Sequence, residues 1–265
     1  MPEIFIGGQL WTSENLNVKN YRNGDPILGP ITNPSEWTSL TTGAWCYYNN
    51  DPSTESTYGL LYNGYAVRDS RGLAPIGYRV PTQLDWDQMI NYIGGASDRA
   101  GALKKVGIGP WIAENYDAID LYGFTALPSG KRMGTSSDPI GNLTPGDFGY
   151  QTTYSFFWSS TSNSNNLWFY ALHANDAGIY SNVYSRNYGL SVRLIKEPPT
   201  LPTCSVFLIE PNERLFYGSD RTNLYSFNVT ASTRTLLAQL PEDAYSIAHT
   251  STKMWTLINP NTIRE

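Results

Sequence analysis

The sequence has few of the residues on which metal and disulfide chemistry depends. Two cysteines and two histidines stand among 265 residues: Cys46, Cys204, His173 and His249. Because the cysteines lie far apart and in different contexts, a disulfide framework and a cysteine-rich metal site are not indicated. A zinc or iron site needs several ligands together, so we predict no metal and no cofactor.

Charge is also sparse, and no long apolar run is present. Charged residues make up 15% of the chain, the net charge is −5, and neither sign is clustered. Nucleic acid is therefore an unsuitable partner, because phosphate binding needs a clustered basic face. No apolar run approaches the roughly 20 residues that span a bilayer. The opening MPEIFIGGQLW lacks a secretory signal, so a complete chain would not use that export route.

Aromatic residues, glycine and proline are abundant instead. Aromatics reach 14%, with 23 glycines and 17 prolines, which favours a loop-rich fold containing β-structure. The clearest helix follows Thr82, a good N-cap with Asp85 three residues on. A second short helix is predicted over Asp98–Val106. The apolar positions of the first helix recur near helical spacing and should face the core: Leu84, Met89, Ile90 and Ile93.

A domain boundary is predicted at Glu197. Residues 1–197 form the first domain, and the Pro-rich stretch 198–204 is an extended linker. Residues 205–265 are short β runs about ten residues apart, which resemble propeller repeats. The alternative is an independent small β appendage. If the repeats belong to a propeller, the natural chain continues past Glu265.

The stretch Asn163–Tyr188 has an unusual composition. It contains six Asn and four Tyr but no Lys, Glu or Gln. Tyr and Trp give contact area at low entropy cost, and Asn gives adaptable hydrogen bonding, so the composition is typical of recognition surfaces. The alternative is an Asn-rich turn region between strands. The predicted ligand contacts are Asn165, Trp168, Tyr170, His173, Asn175, Tyr180, Asn182, Tyr184, Arg186 and Tyr188.

Strand alternation limits this list. About half of these side chains should face the core instead, with Trp168 first among them. In the exposed half, aromatic rings would anchor a ligand and amides would orient it. Arg186 would meet a carboxylate or stack on a ring.

Several short motifs occur in order between Gly8 and Lys196, among them GQLWTSENLNV, LAPIGYRVPTQLDW, GFTALPSGKR, FFWSST and GLSVRLIK. Together they resemble the Fibrobacter succinogenes major paralogous domain. The resemblance implies an α+β, C-type-lectin-like fold, related to formylglycine-generating sulfatase-modifying domains. It also implies that WSST and GLSVRLI are central antiparallel strands, with the segment between them on a ligand face. Related folds also serve as the variable proteins of diversity-generating retroelements.

The enzymatic and calcium-binding alternatives lack the residues that each would require. Formylglycine-generating relatives use a close cysteine pair, which Cys46 and Cys204 do not reproduce. A Ser159, His173 and Asp176 set has no nucleophile-elbow motif around it. Residues 210–212 spell the EPN of calcium-dependent lectins, but six to eight oxygen ligands cannot be assembled. His173 is interpreted as a ligand contact, with a structural histidine as the alternative.

The sequence therefore predicts a non-enzymatic binding module. A display domain without an export signal, joined to β repeats, suggests a phage virion component of a tail or fibre. Its partners would be a host cell-surface glycan or protein and other virion subunits, with possible homo-oligomers. The alternatives are a structural virion protein packed against its neighbours, a location on the bacterial cell surface, and, less favoured, a formylglycine-generating-type oxidase.

Overall fold

A computed structural model describes residues 1–112, 115–138 and 142–197, and the backbone of five strands between 215 and 264. The chain divides into two compact units, Met1–Glu197 and Pro198–Glu265. The first unit is a mixed α+β domain with two sheets, so the predicted class is confirmed at that level. The predicted linker 198–204 lies outside the described residues.

The helices of the described residues are short. They are α1 Pro34–Ser39, α2 Glu55–Tyr58, α3 Gly64–Val67 and α4 Gln83–Tyr92. Long loops connect them, as the glycine and proline content predicts. In the described part of the chain, no helix has both the length and the apolar character that a bilayer crossing requires.

The helix α4 begins as predicted. The Thr82 side chain accepts from the Asp85 main-chain N–H, and the Asp85 carboxylate accepts from the Thr82 N–H. Met89 is fully buried, but Leu84 is 79% exposed, which corrects the predicted inward position. Five residues separate Leu84 from Met89, and at 3.6 residues per turn they point about 140° apart.

The second predicted helix, Asp98–Val106, is wrong. Only a 3₁₀ turn, Ala100–Ala102, forms there, and Val106 is exposed. Main-chain groups of this segment bond to other segments: the Ala100 N–H donates to Ala177 O at 2.8 Å. These long-range bonds replace the hydrogen bonds that a continuing helix would make.

The first unit contains two sheets. One has the order β1–β2–β12–β5, and the other, here called the central sheet, has the order β10–β9–β8–β6–β11–β4–β3, with β7 paired to β6. The strands are β1 Glu3–Ile6, β2 Gln9–Thr12, β3 Trp45–Cys46, β4 Leu61–Asn63, β5 Tyr78–Arg79, β6 Ser129–Arg132, β7 Phe148–Gln151, β8 Tyr154–Asn163, β9 Asn166–His173, β10 Ile179–Ser185, β11 Gly189–Leu190 and β12 Ile195–Lys196.

The WSST and GLSVRLI segments are neighbours, but they do not pair in the expected sense. Phe157 and Ser191 form a parallel bridge, in which the Trp158 N–H donates to Ser191 O at 3.0 Å. The implied antiparallel pairing is therefore wrong. The strands β9 and β10 form an antiparallel hairpin between the two segments, and the chain then enters β11, which pairs antiparallel with β6 and β4.

Both sides of β9 are covered by apolar clusters. We call the cluster that contains Trp45, Trp158 and Phe169 the first core. The cluster that contains Trp11 and Trp86 is the second core. Alternate side chains of β9 enter opposite cores, as the period of two residues in a strand requires. The central sheet is therefore covered on two sides at this point, and β9 is a rigid base for its edges.

The described strands of the second unit form small antiparallel sheets. The strands β13 Leu215–Ser219, β14 Asn223–Asn228 and β15 Thr233–Gln239 pair in sequence, and β16 Thr256–Leu257 pairs with β17 Ile263–Arg264. A propeller blade has four strands. No such blade forms among these described strands, and the residues between them lie outside the described part, so the propeller repeats stay a prediction.

Candidate functional site

The Asn/Tyr-rich segment is mostly strand. The strands β8 and β9 are joined by a two-residue turn at Ser164 and Asn165, because Asn163 pairs with Asn166. Ser164 has a φ of 53°, as this tight hairpin turn requires. The strand β10 then pairs with β9 along its whole length and is the edge of the central sheet.

The register decides which side chains share a face. Tyr180 pairs with Ala171, Asn182 with Phe169, and Tyr184 with Leu167. These β9 partners belong to the first core. On β8 and β9 this side is covered by the first core, so we call only its continuation on the edge strand β10 the display face.

The ten predicted contacts differ widely in exposure. Four are exposed: Asn165, Asn175, Tyr180 and Asn182. Four are partly buried: Trp168, His173, Tyr184 and Arg186. Tyr170 and Tyr188 are buried, with 2% and 5% of their surface exposed.

The exposed residues do not form one site. Asn165 lies in the β8–β9 turn and Asn175 in the β9–β10 loop, at opposite ends of a strand of eight residues. Such a strand is ~26 Å long. A small ligand therefore cannot contact both asparagines.

The buried tyrosines serve the cores. Tyr170 stacks on Trp86, with centroids 4.9 Å apart, and donates to the Asp87 carboxylate at 2.8 Å. Tyr188 stacks on Tyr184 at 4.1 Å. Trp168, which was expected to be buried first, keeps part of its surface exposed. We therefore leave Tyr170 and Tyr188 out of the face that a ligand would meet.

A buried lysine organises one group of tyrosines. The Lys131 ammonium lies 4.8 Å from the ring centroids of both Tyr150 and Tyr184, and 5.7 Å from that of Tyr188. It donates to the Tyr184 hydroxyl at 2.8 Å and lies 3.6 Å from the Asp138 carboxylate. With Phe156 also at 5.0 Å, this caged cluster encloses its own cation.

The electrostatics of the caged cluster match its closed geometry. Burial lowers the pKa of Lys131, and the Asp138 carboxylate opposes that shift. Burial also raises the pKa of Tyr184. The Lys131 side chain is 5% exposed, so the cation is already desolvated and paired within the protein. The Lys131 ammonium is therefore not accessible to a ligand.

The turn after β10 is also occupied by internal contacts. Asn187 donates to Thr38 O at 3.1 Å and to Leu40 O at 2.7 Å. The Arg186 guanidinium lies 6.0 Å from the ring centroid of Tyr65. Arg186 therefore lies near a ring of its own chain, whereas the predicted contact was with a ligand.

A second group of side chains surrounds the β9–β10 loop. Asp176 accepts three hydrogen bonds, from His173 Nδ1 at 3.0 Å, the Tyr180 hydroxyl at 2.9 Å and the Gly178 N–H at 2.8 Å. The His173 ring stacks on Tyr154, with centroids 4.2 Å apart. We call these residues, together with Lys104, the loop cluster.

The Asp176 carboxylate is ionised and accessible. Partial burial alone would raise its pKa, but the hydrogen bonds from His173, Gly178 and Tyr180 outweigh burial and hold the pKa below its ordinary value. Its side chain remains 37% exposed. An oriented carboxylate that still faces solvent can accept hydrogen bonds from a ligand.

Lys104 lies beneath this loop and is fully buried. Its ammonium donates to His173 O and to Asp176 O, both at 3.0 Å. Burial lowers its pKa to about 8, against the attraction of Asp176 and Asp117. Lys104 thus ties both ends of the residue 173–176 segment to the body of the domain.

Sequence reasoning missed three members of the loop cluster as site residues: Lys104, Tyr154 and Asp176. The one local signal was Asp176, three residues after His173 and next to Asn175. Lys104 and Tyr154 are 69 and 19 residues from His173 in the chain, so no local pattern could have joined them.

The described ranges contain no side-chain arrangement suited to metal binding, to thiol catalysis or to a Ser159–His173–Asp176 triad. No group of three or more His, Cys, Asp or Glu side chains there could hold a metal ion. Burial raises the pKa of Cys46 to about 11, which disfavours the reactive thiolate. Ser159 lies five residues along β8 from Tyr154, the partner of His173, a separation of ~17 Å along the strand. Cys204 and His249 lie outside the described residues.

The comparison with known families agrees with the motif order. The model of the Fibrobacter succinogenes major domain matches residues 4–196. The chain belongs to this family. The matched range covers both sheets of the first unit and includes the caged cluster and the loop cluster. No curated protein and no solved structure matches the chain.

Proposed function

We propose that this Fibrobacter succinogenes major domain is a non-catalytic recognition module whose ligand binds at the loop cluster. The observation that carries the proposal is the Asp176 carboxylate, which three hydrogen bonds orient while its side chain stays 37% exposed. Tyr180 beside it is 50% exposed. A polar acceptor next to an exposed ring, both held by a covered sheet, is a preformed binding arrangement.

We also propose a C-type-lectin-like architecture for residues 1–197. The pairing of Trp11 in β2 with Ile195 in β12 supports it, because this pair brings the two ends of the domain together. The long loops pinned by buried tryptophans are a second supporting feature. On this scaffold the loop cluster would belong to the variable, ligand-facing part.

The biological setting remains the one predicted from the sequence. We propose a phage tail or fibre protein that recognises a host glycan or protein, with residues 163–188 diversified by a retroelement. The family match adds no support for the phage setting. Sequencing the gene in sibling isolates tests the diversification: substitutions concentrated at exposed Asn175 and Asn182 codons are expected, and identical codons would refute it.

One observation favours the alternative, a structural subunit packed against its neighbours. The strand β10 is the edge of the central sheet, and Tyr180, Ser181 and Asn182 in it are exposed. Exposed edge strands can pair with another chain. In that arrangement the display face would be covered in the assembled particle.

The first experiment is a binding screen of the full chain against a bacterial glycan array and intact bacterial cells. Binding should disappear in a Tyr180→Ala, Asp176→Asn double variant. It should persist in Ser162→Ala, which changes an exposed residue of β8 close to the other end of β9. The recognition proposal would be rejected in favour of the structural subunit if the wild type bound none of the probes. The same conclusion would require that Tyr180 become buried when the chain assembles into a virion.

A further inference from the structure

We propose that the loop cluster takes a neutral saccharide ring, with Asp176 as the acceptor of its hydroxyl groups. This inference rests on the proposed recognition function and names the ligand class for the same site. It follows from three properties of the cluster: an incompletely used carboxylate, fixed aromatic rings, and a balanced local charge.

The carboxylate has one acceptor position left. An ionised carboxylate offers about four lone-pair positions. Asp176 Oδ1 accepts from the Gly178 N–H, and Oδ2 accepts from His173 Nδ1 and the Tyr180 hydroxyl. Its exposed side chain can therefore accept a hydrogen bond from a ligand hydroxyl without losing an internal partner.

The rings beside the carboxylate are held in place before any ligand arrives. The Tyr180 hydroxyl donates to the Asp176 carboxylate. The Tyr180 ring also lies close against Gly178, since a Cβ added at that glycine would be only 3.2 Å from the ring. His173 lies on Tyr154, with an angle of 21° between the rings. Such rings present apolar surface to the C–H groups of a sugar at low entropic cost.

The polar edge of His173 adds a second hydrogen-bonding group. Its Nδ1 contacts Asp176, so Nε2 is the remaining polar atom of the ring. The His173 side chain is 22% exposed. A donor or acceptor close to a carboxylate suits adjacent hydroxyl groups, which donate and accept at once.

The local charge favours a neutral ligand. Asp176 repels an anion, and the Lys104 ammonium, bonded to Asp176 O and His173 O from beneath, repels a cation. Lys104 is fully buried, so solvent screens its field weakly. Opposite charges on the two sides of one loop leave hydroxyl groups as the best-matched partners.

The size of the cluster also points to a small ring. Stable protein interfaces bury about 800 Å² on each partner. The loop cluster presents only parts of Tyr154, His173, Asp176 and Tyr180. That surface suits one or two sugar rings.

The test is amide chemical-shift mapping of the full chain with four methyl glycosides. Two are neutral, a hexoside and an N-acetylhexosaminide; one is a cationic hexosaminide and one an anionic hexuronide. The neutral compounds should shift amides of residues 173–180 with millimolar affinity. Asp176→Asn should weaken this binding at least tenfold, and Ser162→Ala, at an exposed residue of β8, should leave it unchanged. Dispersed amide spectra establish that each variant is folded.

The outcomes separate this inference from the function on which it rests. If the charged glycosides bind and the neutral ones do not, or if the shifts lie outside residues 173–180, the saccharide assignment is wrong. It is also wrong if no glycoside binds while the cell binding described above survives periodate and is abolished by protease. In that case recognition stands, with a protein ligand. If neither glycosides nor cells bind, both proposals fail.

Discussion

The loop cluster and the caged cluster contain the same residue types, but one is accessible to a ligand and the other is closed. Each places tyrosines and a carboxylate near a buried lysine. In the caged cluster, Lys131 faces rings and Asp138, so its charge is matched inside the protein. In the loop cluster, Lys104 bonds to main-chain carbonyls, and the Asp176 carboxylate points to solvent. The position of the carboxylate relative to the lysine therefore distinguishes the closed cluster from the accessible one.

The largest expected effect comes from breaking the caged cluster. Lys131→Met removes the ammonium that lies 3.6 Å from the largely buried Asp138 carboxylate, and removing one charge of a buried ion pair is strongly destabilising. We expect a loss of about 3 kcal/mol in the free energy of unfolding. Guanidinium titration of the full chain measures it. Lys105→Met, at an exposed lysine, is the control and should change little; equal losses in both variants would contradict the role of the cage.

The second effect concerns Lys104 and depends on pH. Its folded pKa of about 8 lies below the ordinary 10.5, so between these values the unfolded chain binds more protons. Stability contributed at this position should therefore rise with pH across that window, by up to about 3 kcal/mol. Urea unfolding at several pH values, with Lys104→Met beside the wild type, measures the difference. Parallel profiles for the two proteins would show that Lys104 does not titrate in this window.

A smaller pair of changes compares the tyrosine hydroxyls directly. Tyr184→Phe removes the acceptor of the buried Lys131 bond, and we expect a loss of about 1.5 kcal/mol in the free energy of unfolding. Tyr180→Phe removes a hydroxyl bonded to Asp176 on the surface, and we expect about 0.5 kcal/mol. Chemical denaturation of both variants gives the order. The reverse order would show that the loop cluster is the better-ordered one.

The smallest effect should be local to the loop. In Asp176→Asn the charge that orients His173 and Tyr180 is lost, so amide hydrogen exchange of residues 174–178 should accelerate while β9 stays protected. The wild type should show the same loosening in acid. The folded pKa of Asp176 is depressed, so its contribution is present above the ordinary value of 3.8 and lost as pH falls through the folded value. Faster exchange in β9 as well would indicate global destabilisation instead.

Local signals predicted the parts of the fold that depend on neighbouring residues. The Thr82–Asp85 capping box was readable because both groups lie within one turn. The family followed from short motifs in order between Gly8 and Lys196, and the family model matches residues 4–196. The outward position of Leu84 and the parallel bridge between Phe157 and Ser191 were not predicted, because each depends on what packs against the segment.

The sequence predicted a list of candidate site residues, but not which of them are exposed or lie together. His173 and Tyr180 were both predicted as ligand contacts, and the structure places them on the same carboxylate. Tyr170 and Tyr188 entered the same list because tyrosine in a strand looks alike whether it faces a core or solvent. Strand periodicity gives alternation, but it does not tell which of the two faces is covered.

The sequence by itself determined the family, the α4 start, the strands around Asn163–Tyr188 and a supply of Tyr and Asn there, since these depend on local composition and spacing. Tertiary structure alone decided that both faces of β9 are buried, that Lys131 is enclosed by rings, and that Lys104 lies beneath Asp176. The physical reason is that desolvation and charge pairing act between residues far apart in the chain. Lys104 and Asp176, 72 residues apart, meet only after the sheet has formed.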